Sequence, residues 1–138
     1  MNEPDAFLDT NVMLRYLLND HQDQSPRAKE LFEALARGDR TVRMAESVVL
    51  ETVFVLAKTY RIPRNSIRDE LQLVIDLPGI VMPGKSIFRR VFELYTMKAG
   101  LSFADCYHVA LTEHLGLTTI ISFDRKLGSV PGISREEP

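Results

Sequence analysis

Short apolar runs alternate with longer stretches of helical period along this chain. Ala6-Phe7-Leu8 is a brief apolar run that predicts a buried strand, and Asp9 follows it directly. Val12, Leu14, Leu17 and Leu18 then recur at the spacing of one helix face. After the polar segment Asn19 to Gln24, Ser25-Pro26 predicts an N-cap followed by proline in the first helical position. Ala28, Leu31, Phe32, Leu35 and Ala36 give that helix an apolar stripe, which Gly38 ends. Thr41-Val42-Arg43-Met44 predicts a strand, and Ser47 predicts a cap. Val49, Leu50, Val53, Phe54, Leu56, Ala57 and Tyr60 then predict a broad apolar helix face. Pro63 opens a helix with Ile67, Leu71, Val74 and Ile75 inward, and Pro78-Gly79 closes it before the strand Ile80-Val81-Met82. Two further helices, around Ile87 to Tyr95 and Ser102 to Leu115, meet near Gly100. Thr119 to Phe123 is the clearest strand, and Gly132-Ile133-Ser134 predicts a last short one. Strands separated by helices need crossover connections and hence a parallel sheet. The expected class is α/β, a three-layer α/β/α sandwich rich in helix.

Composition narrows the function classes. A chain of 138 residues with 45% hydrophobic and 26% charged residues is expected to form a single domain, 1–138, with a full core. The lone cysteine, Cys106, excludes a disulfide framework and a cysteine-rich zinc site, and reads as core packing. No apolar run reaches the ~20 residues of a membrane span, and the first five residues lack the pattern of a signal peptide. A cytoplasmic protein is expected. Met44, Met82 and Met97 read as core filler and His108 as a core-edge residue, since the three histidines share no metal-ligand spacing.

The candidate chemistry lies in four acids. In an open parallel sheet, ligands bind beyond the carboxyl ends of the strands. Asp9 and Asp124 each follow a predicted strand, so parallel strands would bring both to one rim. Asp105 stands at a helix start, and Glu51 lies one turn into a helix between Leu50 and Val53. Carboxylates gathered without cations repel one another and raise their pKa values; a hard divalent cation, Mg²⁺ or Mn²⁺, resolves the conflict and suits phosphodiester hydrolysis. Each acid also has a local reading. Asp9 can cap the helix after it, and Asp105 can complete a capping box with Ser102. Glu51 can be a solvated rim residue, and Asp124 can open a turn with Arg125 and Lys126. No serine-hydrolase elbow or phosphate-binding glycine loop is present.

Four segments occur in register: Phe7-Leu8-Asp9-Thr10-Asn11, Glu46-Ser47-Val48-Val49-Leu50-Glu51, Phe103-Ala104-Asp105-Cys106 and Ser122-Phe123-Asp124. On these motifs the chain resembles the PIN-domain ribonucleases, specifically the VapC-type toxins of prokaryotic toxin–antitoxin modules. The resemblance implies a short, mostly parallel five-stranded sheet. It also implies Mg²⁺- or Mn²⁺-dependent endoribonuclease activity on structured RNA such as tRNA or rRNA, a homodimer and a cognate antitoxin. It places the catalytic acids at Asp9, Glu51, Asp105 and Asp124, with Asp9, Asp105 and Asp124 as metal ligands. Thr10, Asn11 and Ser122 are its hydroxyl and amide helpers. Where many PIN domains carry a further acid, this chain has Arg125-Lys126, which instead become candidate RNA contacts.

The net charge, from 17 Lys and Arg against 19 Asp and Glu, is −2. Four of those acids are the candidate site, so the rest of the chain carries a small positive excess. RNA affinity must then come from local patches. Arg15, Arg61, Arg64, Arg68, Lys85, Arg89 and Arg90 are further candidates for it. Two alternatives remain at this point. A haloacid-dehalogenase-type phosphatase also places an aspartate after its first strand, but wants a second acid where this chain has Asn11. A catalytically silent PIN-like interaction module would not need all four acids.

Overall fold

The computed structural model describes residues 3–138. They form an α/β protein with helices and parallel strands, in two compact units that divide between Lys85 and Ser86.

The first unit begins with an extended segment in which only Phe7 pairs, as a parallel bridge to Arg43. Helices α1 (Thr10–Leu18) and α2 (Gln24–Arg37) follow, then β1 (Val42–Arg43), α3 (Glu46–Lys58), α4 (Arg64–Ile75) and β2 (Ile80–Val81). β1 and β2 are parallel, with Val42 opposite Ile80 and Arg43 opposite Val81. The core includes Leu8, Met13, Phe32, Leu35, Met44, Val49, Ile67 and Leu71, and Tyr16 stacks on Phe32 at 4.2 Å. Gly38 caps α2 at φ 76°, a left-handed conformation that favours glycine.

The second unit holds α5 (Phe88–Met97), α6 (Phe103–His114), β3 (Thr119–Ile121) and β4 (Ser134–Glu136), with a 3₁₀ turn at Arg125–Ser129. β3 and β4 are parallel, with Thr119 opposite Ser134 and Ile121 opposite Glu136. The α5–α6 contact is aromatic: Phe88, Phe92 and Tyr95 surround Phe103, with ring centroids 5.2 to 6.4 Å apart. Cys106 is fully buried, as its reading as core packing requires. Arg90 of α5 donates Nε and Nη2 to both Glu113 oxygens of α6, at 2.9 and 3.0 Å, and also bonds Glu93. The Glu113 bond holds this guanidinium charged against the cost of its partial burial.

Several sequence expectations shift. The paired strands are only two or three residues long, and Ala6-Phe7-Leu8 contributes a single bridge. The described residues therefore make two two-stranded ladders plus that bridge. The last strand lies two residues later than Gly132-Ile133-Ser134, because Gly132 turns at φ 86° before pairing begins. β3 is not buried: Ile121 is 65% exposed. Helix α2 starts at Gln24 with Asp23 as its N-cap, so Ser25-Pro26 lie inside it. The Ser25 hydroxyl is engaged elsewhere, donating to the Arg15 carbonyl at 2.8 Å and accepting from the His21 N–H. His21 Nδ1 does the capping, accepting from the Gln24 N–H at 2.9 Å. Ala45, not Ser47, is the N-cap of α3, and Pro63 is the N-cap of α4 rather than its first helical residue. Met97 and His108 are exposed, on helix faces turned to solvent.

Candidate active site

In the first unit the chain leaves its bridge at Asp9 and turns straight into α1. Asp9 is the helix N-cap, and its Oδ2 accepts a long 3.5 Å contact from the Asn11 N–H. A carboxylate there sits at the positive end of the helix dipole. Thr10, the first helical residue, donates its Oγ1–H to Glu51 Oε2 of α3 at 2.7 Å. Helices α1 and α3 pack together, so the bond spans 41 residues of sequence. Asp9, Thr10, Asn11 and Glu51 share a trough of about 500 Å³ with Leu14, Leu50, Phe54 and Val55. Asp9 and Glu51 are exposed, and a carboxylate has more lone pairs than the single bond described for each uses.

In the second unit Ser102 and Asp105 form a complete capping box at the start of α6. The Asp105 N–H donates to Ser102 Oγ at 3.1 Å and the Ser102 N–H to Asp105 Oδ2 at 3.2 Å. Ser102→Ala is expected to lower stability by about 1 kcal/mol, read as a fall in Tm. Asp124 follows β3, and its Oδ1 accepts from the Lys126 N–H at 3.0 Å, starting the 3₁₀ turn. Ser122 Oγ accepts from the Asp124 N–H at 3.0 Å, fixing the backbone beneath that carboxylate. The local readings of Asp9, Asp105 and Asp124 as caps thus all hold. Each cap engages one carboxylate oxygen, Oδ2 of Asp9, Oδ2 of Asp105 and Oδ1 of Asp124.

The PIN domain family model matches residues 6–133, a span that contains all four acids. The chain belongs to the PIN domain family. Among curated proteins it is similar to the VapC ribonuclease of Aquifex aeolicus (strain VF5), 24% identical over 119 residues, covering 86% of this chain and 87% of that protein. It is 31% identical over 124 residues to ribonuclease VapC23 of Mycobacterium tuberculosis (strain CDC 1551 / Oshkosh), covering 89% of this chain and 95% of the relative. Ribonuclease VapC13 of Mycobacterium tuberculosis (strain ATCC 25618 / H37Rv) is 27% identical over 132 residues, covering 93% and 96%. The phosphatase alternative and the silent interaction module find no support in these relatives.

The donors this PIN domain presents at its candidate site are carboxylate and hydroxyl oxygens, a set that suits a hard divalent ion. Among the described residues, no group of three or more His, Cys, Asp and Glu side chains is gathered closely enough to cage one.

The cation candidates divide. Arg125 and Lys126 are exposed beside Asp124. Lys85 is committed to the α4–β2 connection, donating Nζ to the Leu77 and Ile80 carbonyls at 3.1 and 2.9 Å. Burial pushes its ammonium below the ordinary lysine value, with the Asp76 charge opposing. Arg90 is held by Glu113, Arg15 donates to Gln24 at 2.7 Å, and Arg68 pairs with Asp69 at 3.0 Å. Phe54 escaped the sequence reading: its position on a broad apolar stripe predicted burial, yet it is 63% exposed. Its spacing of one turn from Glu51 was the available signal. Among the described residues no helix is long and apolar enough to cross a membrane.

Proposed function

We propose that this PIN domain is a VapC-like endoribonuclease, the toxin of a toxin–antitoxin pair, hydrolysing phosphodiester bonds in structured RNA such as tRNA or rRNA. The observation that carries this function is the Asp9–Thr10–Glu51 arrangement at the start of α1, in a chain whose four acids all lie within the matched span. The names of the curated relatives, VapC ribonucleases, point the same way. We take residues 1–138 as one nuclease domain with a short, mostly parallel five-stranded sheet, acting in the cytoplasm.

Asp9, Asp105 and Asp124 would hold a divalent ion, Mg²⁺ or Mn²⁺. Such an ion supplies charge neutralisation at the phosphate and eases loss of a proton from water. Glu51 is the base. Its Oε2 is engaged by Thr10, which leaves Oε1 to orient the attacking water and take its proton. Thr10 and Ser122 act by positioning: the one fixes the Glu51 carboxylate, the other the backbone carrying Asp124. Asn11 holds Asp9 through its backbone N–H, and Arg125 and Lys126 contact the RNA backbone. In-line attack leaves a 5′ phosphate and a 3′ hydroxyl. Thr10→Val should therefore cut kcat roughly tenfold at unchanged Tm, whereas Thr10→Ser retains most activity.

The direct test is incubation of the purified protein with total tRNA and rRNA in Mg²⁺ or EDTA, followed by sequencing of the new ends. Cuts at few positions that carry 5′ phosphates and vanish in EDTA are expected. Cleavage that persists in EDTA, or release of inorganic phosphate from monoesters in place of chain cleavage, would reject the assignment. The same reading brings a homodimer and a cognate antitoxin, whose coexpression should relieve growth arrest.

A further inference from the structure

We propose that Phe54 is a stacking platform for an unpaired nucleobase next to the scissile phosphate, an inference that rests on the ribonuclease function above. The chain has 7 phenylalanines. Phe32, Phe88, Phe92 and Phe103 are buried. The remaining ones stand in water: Phe7 is 59% exposed, Phe54 63% and Phe123 75%. Each of these lies close in sequence to a site acid: Phe7 two residues before Asp9, Phe54 three after Glu51, and Phe123 immediately before Asp124. Exposed phenylalanine thus accompanies the acids on three separate segments.

Phe54 has the fullest surroundings. It lies one turn beyond Glu51 on α3, and with Leu14, Leu50 and Val55 it supplies the apolar lining of the trough whose polar lining is Asp9, Thr10, Asn11 and Glu51. That mixture selects the occupant. The core of a protein interface is depleted of Asp and Glu, because dry apolar contact would desolvate both carboxylates. A nucleotide satisfies both linings at once. Its phosphate, with divalent counter-ion, faces the acids, and its base offers a flat π surface to the ring. Only an unpaired base has that surface free, and stacking accepts any base. Phe54 therefore favours loops and single strands with little preference for base identity.

The experiment uses a single-stranded oligoribonucleotide carrying 2-aminopurine, whose fluorescence falls on stacking, and the same strand annealed to its complement. Cleavage in Mg²⁺ and quenching are measured for wild type, Phe54→Ala, Phe54→Leu and Phe54→Tyr. Wild type should quench the probe and prefer the single strand. Phe54→Ala should raise KM roughly tenfold and lose the quench while kcat holds and Tm stays near wild type. Phe54→Leu should resemble Phe54→Ala, and Phe54→Tyr should resemble wild type. Unchanged KM and quench in Phe54→Ala would overturn the inference, as would a Phe54→Leu that binds like wild type. So would a Phe54→Ala that turns dimer into monomer on size exclusion with RNA binding intact, since the ring would then be a contact between copies. A wild type that cleaves no RNA in Mg²⁺ would instead remove the ribonuclease function itself. A cleaving wild type with an indifferent Phe54→Ala removes only the stacking role.

Discussion

Asp9→Asn is expected to cut RNA cleavage by at least about 100-fold while the protein stays folded. The two halves of that expectation have separate causes. Asparagine caps helices as well as aspartate and still offers an oxygen to the Asn11 N–H, so the start of α1 keeps its geometry. Loss of a negative charge at the helix N-terminus costs roughly 0.3–1 kcal/mol. Tm without metal should therefore move little. The neutral amide, however, is a poor donor for a hard cation. Millimolar Mg²⁺ should raise the Tm of wild type, and by clearly less in Asp9→Asn, because only binding to the native state stabilises it. Asp124→Asn should behave alike, since an amide oxygen can still accept from the Lys126 N–H. The decisive record is a melting series against Mg²⁺ beside a cleavage assay. Equal Mg²⁺ shifts in all three proteins, or activity within about threefold of wild type, would remove these carboxylates from the site.

The candidate site was legible wherever a motif is local. A strand ending at Asp9 and running into a helical period announces an N-cap, and Ser102 with Asp105 announces a capping box; both are present. Gly38 likewise marked the end of α2. The Thr10–Glu51 bond was not legible as a contact, because it depends on α1 packing against α3. Helix entries failed where a side chain found a better partner than its own helix. Ser25 looked like a cap, but its hydroxyl serves the Arg15 carbonyl and His21 replaces it. The sheet was the least legible layer. Strands of two or three residues are too short to show a period, and apolar content at Ile121 or Phe123 predicts burial that neither residue has. Phe54 misled for the related reason that the apolar face of α3 is too broad to mark which of its residues face inward.

Gly79→Ala is expected to destabilise the first unit by about 3 kcal/mol, more than an alanine in an ordinary turn, and Gly79→Val by more still. The position carries no left-handed strain; its constraint is space. An added Cβ would overlap the Arg40 carbonyl oxygen and lie 2.8 Å from Leu35 Cα and 2.9 Å from Leu35 Cδ2. Two of those three neighbours are backbone, so no rotamer change relieves the clash. The close approach also has a purpose. The Gly79 N–H donates to the Leu35 carbonyl at 2.9 Å, and the Gly79 carbonyl accepts from the Val42 N–H at 2.8 Å. One residue thus ties the end of α2 to the register of β1 and β2. A methyl group must push these backbones apart and lengthen both bonds while loosening Leu35, which is fully buried. The expected record is a Tm lowered by roughly 10 °C, with faster amide exchange at Val42 and Gly79 itself. Gly100→Ala, where an added Cβ meets nothing within 4 Å, is the control and should stay close to wild type. Equal melting of the two variants would show that the α2–β1–β2 junction can relax, and that Gly79 is not what sets its spacing.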